Sequence, residues 1–144
     1  MQKALEIRQA TPEDWEKTSP LFEQLYHGDL GPDLRKVFTI LATNIEGSVL
    51  IAEQDKKTIG VLVGSYYLDL DWEGKIAKLQ AIIVDRKHQN QGIGRKLLKH
   101  FLKQAKEKNC RAIIARVNRK NRGSDFYEKL DFEEAGTSEY MLEL

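Results

Sequence analysis

The sequence predicts an α+β domain built on a twisted, mostly antiparallel sheet with helices on both faces. Three observations predict it. Two strand-like runs, Ser48–Glu53 and Thr58–Leu70, flank the polar turn Gln54-Asp55-Lys56-Lys57, the pattern of a hairpin. An apolar strand, Ile76–Val84, passes through a glycine-containing turn into a long amphipathic helix. Strands and helices are mixed along the chain in an order that suits one sheet covered on both sides.

The elements follow in order. Leu5–Gln9 reads as a short first strand. Thr11-Pro12-Glu13-Asp14 is a helix start, with Thr11 as N-cap, Pro12 at the first position and acids in the first turn. Trp15, Phe22, Leu25 and Tyr26 fall on one face of that helix, and Pro20 predicts a kink or a restart capped by Ser19. Leu34, Val37, Phe38 and Leu41 give a second helix within residues 32–44. The hairpin follows, and Asp71-Trp72-Glu73-Gly74 turns the chain into the strand Ile76–Val84. After the long helix come a strand at Ala112–Val117 and a short helix at Gly123–Lys129. Strands near Phe132–Ala135 and Tyr140–Leu144 close the domain. No internal repeat, low-complexity tract or linker divides the chain, so residues 1–144 are expected to form one domain.

Bulk properties narrow the class. At 144 residues with 41% hydrophobic content the chain can bury about two-thirds of its unfolded surface. No run has the length of a membrane span, and residues 1–10 lack the apolar core of a signal peptide. The single cysteine, Cys110, offers neither an intramolecular disulfide nor a metal cluster, and it reads as a small packing residue. A reducing cytoplasm is the expected setting. Charge is split along the chain. Residues 85–122 carry 13 Lys/Arg against 2 acids, net +11, and the remainder carries 10 against 20, net −10. Such a division presents a basic region to an anion and an acidic one to a cation. Lys99, Lys103 and Lys106 read as the solvated face of the helix. Arg86, Arg95, Lys96 and the Arg119–Arg122 cluster, near turn ends, are candidates for phosphate contact. Nucleic-acid binding is disfavoured, because the basic segment has no interleaved aromatics and no reading helix.

The turn Gln89-Asn90-Gln91-Gly92-Ile93-Gly94-Arg95 holds the chemistry. A strand, a glycine turn and a helix start aim unpaired N–H groups and the positive helix end at one point, which suits a phosphate. The alternative is a tight connection whose glycines only relieve strain. The string is not a P-loop, which needs Gly-x-x-x-x-Gly-Lys-Ser/Thr. It is not a dinucleotide fingerprint either, because Leu97 stands where a third small residue belongs.

The segment resembles motif A of the GNAT superfamily of acyl-CoA-dependent N-acetyltransferases, whose Gln/Arg-x-x-Gly-x-Gly/Ala signature is met by Gln89, Gly92 and Gly94. Asp125-Phe126-Tyr127-Glu128-Lys129-Leu130-Asp131-Phe132 is similar to the family's Phe-Tyr-Glu-Lys-Leu-Gly-Phe segment, in the right order and at a suitable distance. The resemblance covers nearly the whole chain. It implies the family's fold, with acyl-CoA in a V-shaped opening between the strand ending at Val84 and the one ending near Val117. The donor substrate is then acetyl-CoA, and the acceptor is a small-molecule or peptide amine. Neither nucleic acid nor membrane is an expected partner, and a homodimer is compatible.

Carried onto this sequence, the resemblance gives the pyrophosphate to backbone groups of Gln89, Asn90, Gln91, Gly92, Ile93, Gly94 and Arg95. It gives the pantetheine arm to main-chain groups of Ile82, Ile83 and Val84. Tyr127 matches the tyrosine that protonates the departing thiolate; as a bare pattern it reads first as a rim tyrosine that only packs, and the resemblance reverses that preference. Asn118 and Asn121 are both near the asparagine that contacts the cofactor arm, and neither sits at the usual spacing. Where family members place a glutamate base, this chain has Lys78 or Gln80. Glu53, Asp69, Asp71 or a water chain are the substitutes, with Asp69, Asp71 and Glu73 also reading as an acceptor entrance or an ordinary turn. His27 and His88 are assigned no catalytic part. Asp131 replaces a glycine and is expected to take a left-handed conformation at a helix end. The acceptor pocket is expected from the stretch Leu25–Leu34 and the region Tyr66–Glu73. A rival from another class is a non-catalytic acyl-CoA sensor that keeps the fold.

Overall fold

The computed structural model describes residues 4–117 and 123–144. Its described strands are β1 (Glu6–Gln9), β2 (Gly47–Gln54), β3 (Lys57–Asp69), β4 (Gly74–Val84) and β5 (Ile113–Ala115), in that order across one sheet. The first four are antiparallel, and β5 runs parallel to β4. Helices α1 (Trp15–Leu25) and α2 (Leu34–Thr43) pack on one face, and α3 (Ile93–Glu107) and α4 (Gly123–Glu128) on the other.

Local chemistry explains most elements. Asp55 and Lys56 both have positive φ, 55° and 63°, the mirror-image turn that matches the twist of a two-residue hairpin. The helix start at Thr11 forms as a 3-10 turn over Pro12–Asp14 that runs into α1, and the Thr11 N–H donates to Asp14 Oδ2 at 2.8 Å. Helix α1 continues through Pro20 without the predicted restart at Ser19. Pro20 brings no N–H to the Glu16 carbonyl, and the Ser19 hydroxyl donates to it instead at 3.4 Å.

Two cores sandwich the sheet. Leu50, Leu62, Leu79, Leu97 and Phe101 meet under α3. Phe22, Phe38, Val49, Ile51 and Val61 meet under α1 and α2, with Trp15 centred 5.3 Å from Phe38. Strand β4 serves both cores because of an irregularity. Val63 pairs with Ala81 and Gly64 with Leu79, which leaves Gln80 as an extra residue. This bulge inverts the alternation of faces. Ala77 and Leu79 belong to the α3 core, whereas Ala81 and Ile83 point to the α1–α2 side.

Two strand expectations are corrected. Strand β5 covers three residues rather than Ala112–Val117, because its ladder ends at the Leu79–Ala115 pair, one residue before the Gln80 bulge turns β4 away. Residues 132–144 contain no described strand; Tyr140, Met141, Leu142 and Leu144 are exposed. Strand propensity there finds no ladder partner among the described residues.

Candidate active site

The ladder that ends early leaves an edge. Residues 80–84 of β4 have no partner on the β5 side among the described residues. The Asp85 N–H donates to the Ile59 carbonyl at 2.8 Å, which fixes the odd positions as the ones facing β3. Of the three residues expected to pair with a pantetheine arm, Ile82 and Val84 therefore turn main-chain groups toward the open edge. Ile83 turns toward β3, and its side chain is buried under α1 and α2.

At the end of that edge the chain makes a 3-10 turn over Arg86–His88 and enters α3 through Gln89–Gly92. Asn90 (φ 63°) and Gly92 (φ 80°) are both left-handed. The first helical bond is Lys96 N–H to the Gly92 carbonyl, and among the described residues no side chain caps the helix. The N–H groups of Ile93, Gly94 and Arg95 thus precede the first intrahelical donor and point outward at the positive end of the dipole. The first turn of α3 carries no acid, while Arg86, Lys87, Arg95 and Lys96 around it are exposed. A Cβ on Gly92 would meet no protein atom within 4 Å, so the space before it is open. Gln89, Asn90 and Gln91 are exposed in the turn, and Ile93 is buried beneath it.

Side chains lock this geometry. His88 Nδ1 lies 2.7 Å from Asp85 Oδ2, which makes it a brace of the turn. Gln89 Nε2 donates to the Val84 carbonyl at 3.2 Å. Gln24 of α1 was not anticipated: its Nε2 donates to the same carbonyl at 2.9 Å and its Oε1 accepts from the Arg86 N–H at 3.2 Å. It lies 60 residues from Val84, and no local pattern marks it.

Tyr127 sits half-buried on α4. Its ring lies edge-on to Phe126 at 5.3 Å and to Phe132 at 5.4 Å, and it joins the α3 core with Phe126 and Leu130. Burial pushes its phenol above the ordinary value, so the group holds its proton. Phe126 packs on the start of α3, 3.6 Å from where a Cβ on Gly94 would stand. Asp131 has φ 66°, the left-handed helix end expected of it. Asn118, Asn121 and the Arg119–Arg122 cluster lie outside the described residues.

The base candidates sort differently. Glu53 is held by Arg8 Nε at 2.8 Å, and that bond pulls its carboxyl below the usual range, so it is a poor base. Asp69 Oδ1 accepts the Trp72 N–H at 3.1 Å, the ordinary-turn reading. Gln80, at the bulge, donates from Nε2 to Ser65 Oγ at 2.9 Å, and Lys78 is half-buried two residues before it. Cys110 is half-buried, and burial raises its thiol, which opposes a nucleophilic part.

Two cavities lie away from the turn. One of about 400 Å³ is lined by Tyr26, Asp29, Asp33, Leu34 and Val37, in the region expected to receive an acceptor. The other, about 430 Å³, sits by the C-terminal end of α3, where Ser48 Oγ donates to Gln104 Oε1 at 2.8 Å. Tyr66 is buried beside it against Phe101, so its side chain belongs to the core and not to an acceptor entrance.

Comparison with protein-family profiles matches residues 5–132 to the acetyltransferase (GNAT) family. The chain belongs to the GNAT family. Solved structures with the same GNAT fold include the aminoglycoside N-acetyltransferase AAC(6′)-Iy in complex with CoA, 20% identical, covering 99% of this chain and 97% of that one, TM-score 0.88. A ribosomal-protein-alanine N-acetyltransferase from Brucella melitensis biovar Abortus 2308 is 19% identical over 98% and 99% of the two chains, TM-score 0.82. A protein described as a transcriptional regulator from Bacillus halodurans C-125 is 20% identical over 98% and 100%, TM-score 0.86. No helix among the described residues is long and apolar enough to cross a membrane.

Proposed function

We propose that this GNAT protein is an N-acetyltransferase that moves the acetyl group of acetyl-CoA to a primary amine by direct attack. The observation that supports it most is a conjunction: an α3 N-terminus with no cap among the described residues lies at the end of a strand edge unpaired among them, with a proton-bearing tyrosine packed against the core beneath that helix. The pyrophosphate would rest on the N–H groups from Asn90 to Arg95, with Arg86, Arg95 and Lys96 adding positive charge. The pantetheine arm would extend β4 as an added strand, pairing with the main-chain groups of Ile82 and with the Val84 N–H, since the Val84 carbonyl is held by Gln24 and Gln89.

Chemistry then needs a neutral amine. Its lone pair attacks the thioester carbonyl, a C–N bond forms, and collapse of the tetrahedral intermediate breaks the C–S bond. The ammonium proton of the tetrahedral intermediate leaves to water, the departing thiolate takes a proton from the Tyr127 phenol, and water returns a proton to the Tyr127 phenolate. Gln80 cannot act as a base. We assign proton removal to water or to loss of the proton before binding.

The acceptor would enter by the cavity between α1 and α2, where Asp29 and Asp33 attract a cation and Tyr26 offers a ring face. An aminoglycoside N-acetyltransferase and a ribosomal-protein-alanine N-acetyltransferase share this fold. A screen of aminoglycosides, amino sugars, polyamines, peptide N-termini and lysine for CoA release in the presence of acetyl-CoA tests the proposal. Turnover with at least one class is the expected result. Tight CoA binding with no turnover on any class would establish the sensor instead.

A further inference from the structure

Gln80 stands where β4 leaves β5: the ladder ends at the Leu79–Ala115 pair, and the next residue of β4 is the bulged one. In the proposed complex the pantetheine arm runs along the edge from Val84 to Ile82, so its thioester end comes to lie against this bulge. Three polar side chains gather there on one face. Ser65 pairs with Lys78 across the β3–β4 ladder, which sets both on the same side of the sheet. Gln80 reaches Ser65 from that side, its Nε2 donating to Ser65 Oγ at 2.9 Å. The bond occupies the amide nitrogen and leaves the carbonyl Oε1 of this exposed side chain without a donor among the described residues. Lys78, half-buried, brings an ammonium to the same face. The acids beside it are engaged: Asp69 Oδ1 accepts the Trp72 N–H and Glu139 pairs with Arg116, both acting on Tyr67, two residues along β3 from Ser65. Asp29 and Asp33, from the loop between α1 and α2, line their own cavity, and Tyr127 on α4 holds its proton.

An uncharged carbonyl beside an ammonium treats the two forms of an amine differently. The protonated amine meets repulsion from Lys78, and none of the three side chains is a carboxylate that could offset it. The neutral amine meets no such repulsion, donates an N–H to Gln80 Oε1 and carries the lone pair that the thioester needs. We propose, on the acetyltransferase reading above, that this site takes a weakly basic amine that arrives neutral, the α-amine of a peptide in preference to a lysine ε-amine or a polyamine, with Gln80 Oε1 accepting from the attacking nitrogen. The nitrogen lone pair forms the C–N bond while one N–H stays on Oε1. The nitrogen then sheds a proton to water, and the C–S electron pair leaves with the CoA sulfur, which Tyr127 protonates. Free α-amines lose their proton at about 7.7–8.0 and lysine at about 10.4, so at pH 7 the neutral fraction is about 300-fold greater for the α-amine. The greater reactivity of the more basic amine offsets part of this and leaves a preference of about tenfold or more in kcat/KM.

Two peptides test it at saturating acetyl-CoA: a lysine-free peptide with a free N-terminus, and the same peptide N-terminally acetylated with one lysine inserted. The expected kcat/KM is about tenfold or more higher for the first; it rises with pH to a plateau at about pH 8, while that for the second still climbs beyond it. Gln80→Glu supplies a carboxylate that accommodates the ammonium form. It should cut the preference about fivefold or more and carry lysine acetylation to lower pH. Lys78→Met keeps the apolar stem, removes the charge and should move the preference the same way. A wild-type preference for the lysine peptide overturns the proposal, as does an unchanged preference in folded Gln80→Glu. Turnover confined to other amine classes overturns it too and leaves acetyl transfer standing, whereas no turnover on any amine overturns both readings. The wild-type rates decide the matter even if a variant does not fold.

Discussion

The ring of Phe101 occupies the place where a side chain on Gly64 would begin: a Cβ there would meet Phe101 Cε1 and Cζ at 2.5 Å. Gly64 pairs with Leu79 immediately before the Gln80 bulge, so this contact seats the middle of α3 against the point where β4 leaves β5. Gly64→Ala overpacks that point and should destabilise the fold by about 1–3 kcal/mol. Phe101→Leu in the same chain should recover part of the loss. Urea unfolding of the single and double variants measures it, and additive losses would contradict the contact.

Arg8 joins three elements. It meets Asp14 through Nη1–Oδ2 at 2.9 Å and Nη2–Oδ1 at 2.8 Å, and Glu53 through Nε. Arg8 is the first cause lowering both carboxyls below their ordinary values of 3.8 and 4.5. A carboxyl depressed in the folded state contributes stability above its unfolded pKa and loses it as pH falls through the folded value. The clamp should therefore be fully present at neutral pH and fade in the acid range below those two values. Asp14→Asn should cost roughly 1–3 kcal/mol at neutral pH and flatten the acid limb of a denaturation profile. An acid limb as steep as that of wild type would sink the assignment.

If Tyr127 protonates the departing thiolate, its raised phenol pKa has a visible consequence. The donor form persists through neutral pH and past the ordinary phenol value of 10, so Tyr127 imposes no alkaline limb below it. Tyr127→Phe keeps the Phe126 and Phe132 packing and removes only the proton. It should lower kcat by about 100-fold or more, with the KM for acetyl-CoA little changed. Unchanged kcat across the pH range would leave Tyr127 as a packing residue.

What could be read in the sequence was what neighbours along the chain decide. The Asp55-Lys56 hairpin, the Thr11-Pro12 helix start, the left-handed Asp131 and the glycine turn into α3 all depend on a few adjacent residues. What could not be read depends on distant pairing. The Gln80 bulge exists only in register with β3, and it both shortens β5 and inverts the faces of β4. Glu53 remained a candidate base until Arg8, 45 residues away, was seen to hold it. The strand at Tyr140–Leu144 failed for the same reason, since its propensity is local but a ladder needs a second chain segment.

Gly92 combines a φ of 80° with open space ahead of it. Gly92→Ala therefore strains the backbone by roughly 1 kcal/mol and projects a methyl toward the proposed pyrophosphate position. CoA affinity should fall about tenfold or more, a change that isothermal titration calorimetry resolves. Gly28→Ala is the control, because Gly28 has φ 84° and open space but lies in the loop between α1 and α2. It should carry a similar stability loss with CoA affinity unchanged. Equal loss of affinity in both variants would attribute the effect to strain alone.

Gln24 bridges α1 to the donor site through a carbonyl and an N–H that flank the turn, Val84 and Arg86. The Val84 carbonyl also accepts from Gln89, so removing Gln24 leaves it one partner, and the fold should lose only about 0.5–1.5 kcal/mol. The turn itself loses its anchor to α1, the helix that leads into the loop lining the proposed acceptor cavity. Gln24→Ala should therefore weaken CoA binding and raise the KM of the acceptor together, whereas Gln24→Glu keeps the acceptor atom for Arg86 and loses the donor to Val84. If the Glu variant matches wild type, the Val84 bond is dispensable and the Arg86 bond carries the coupling. If the Ala variant binds CoA as wild type does, Gln24 does not position the turn.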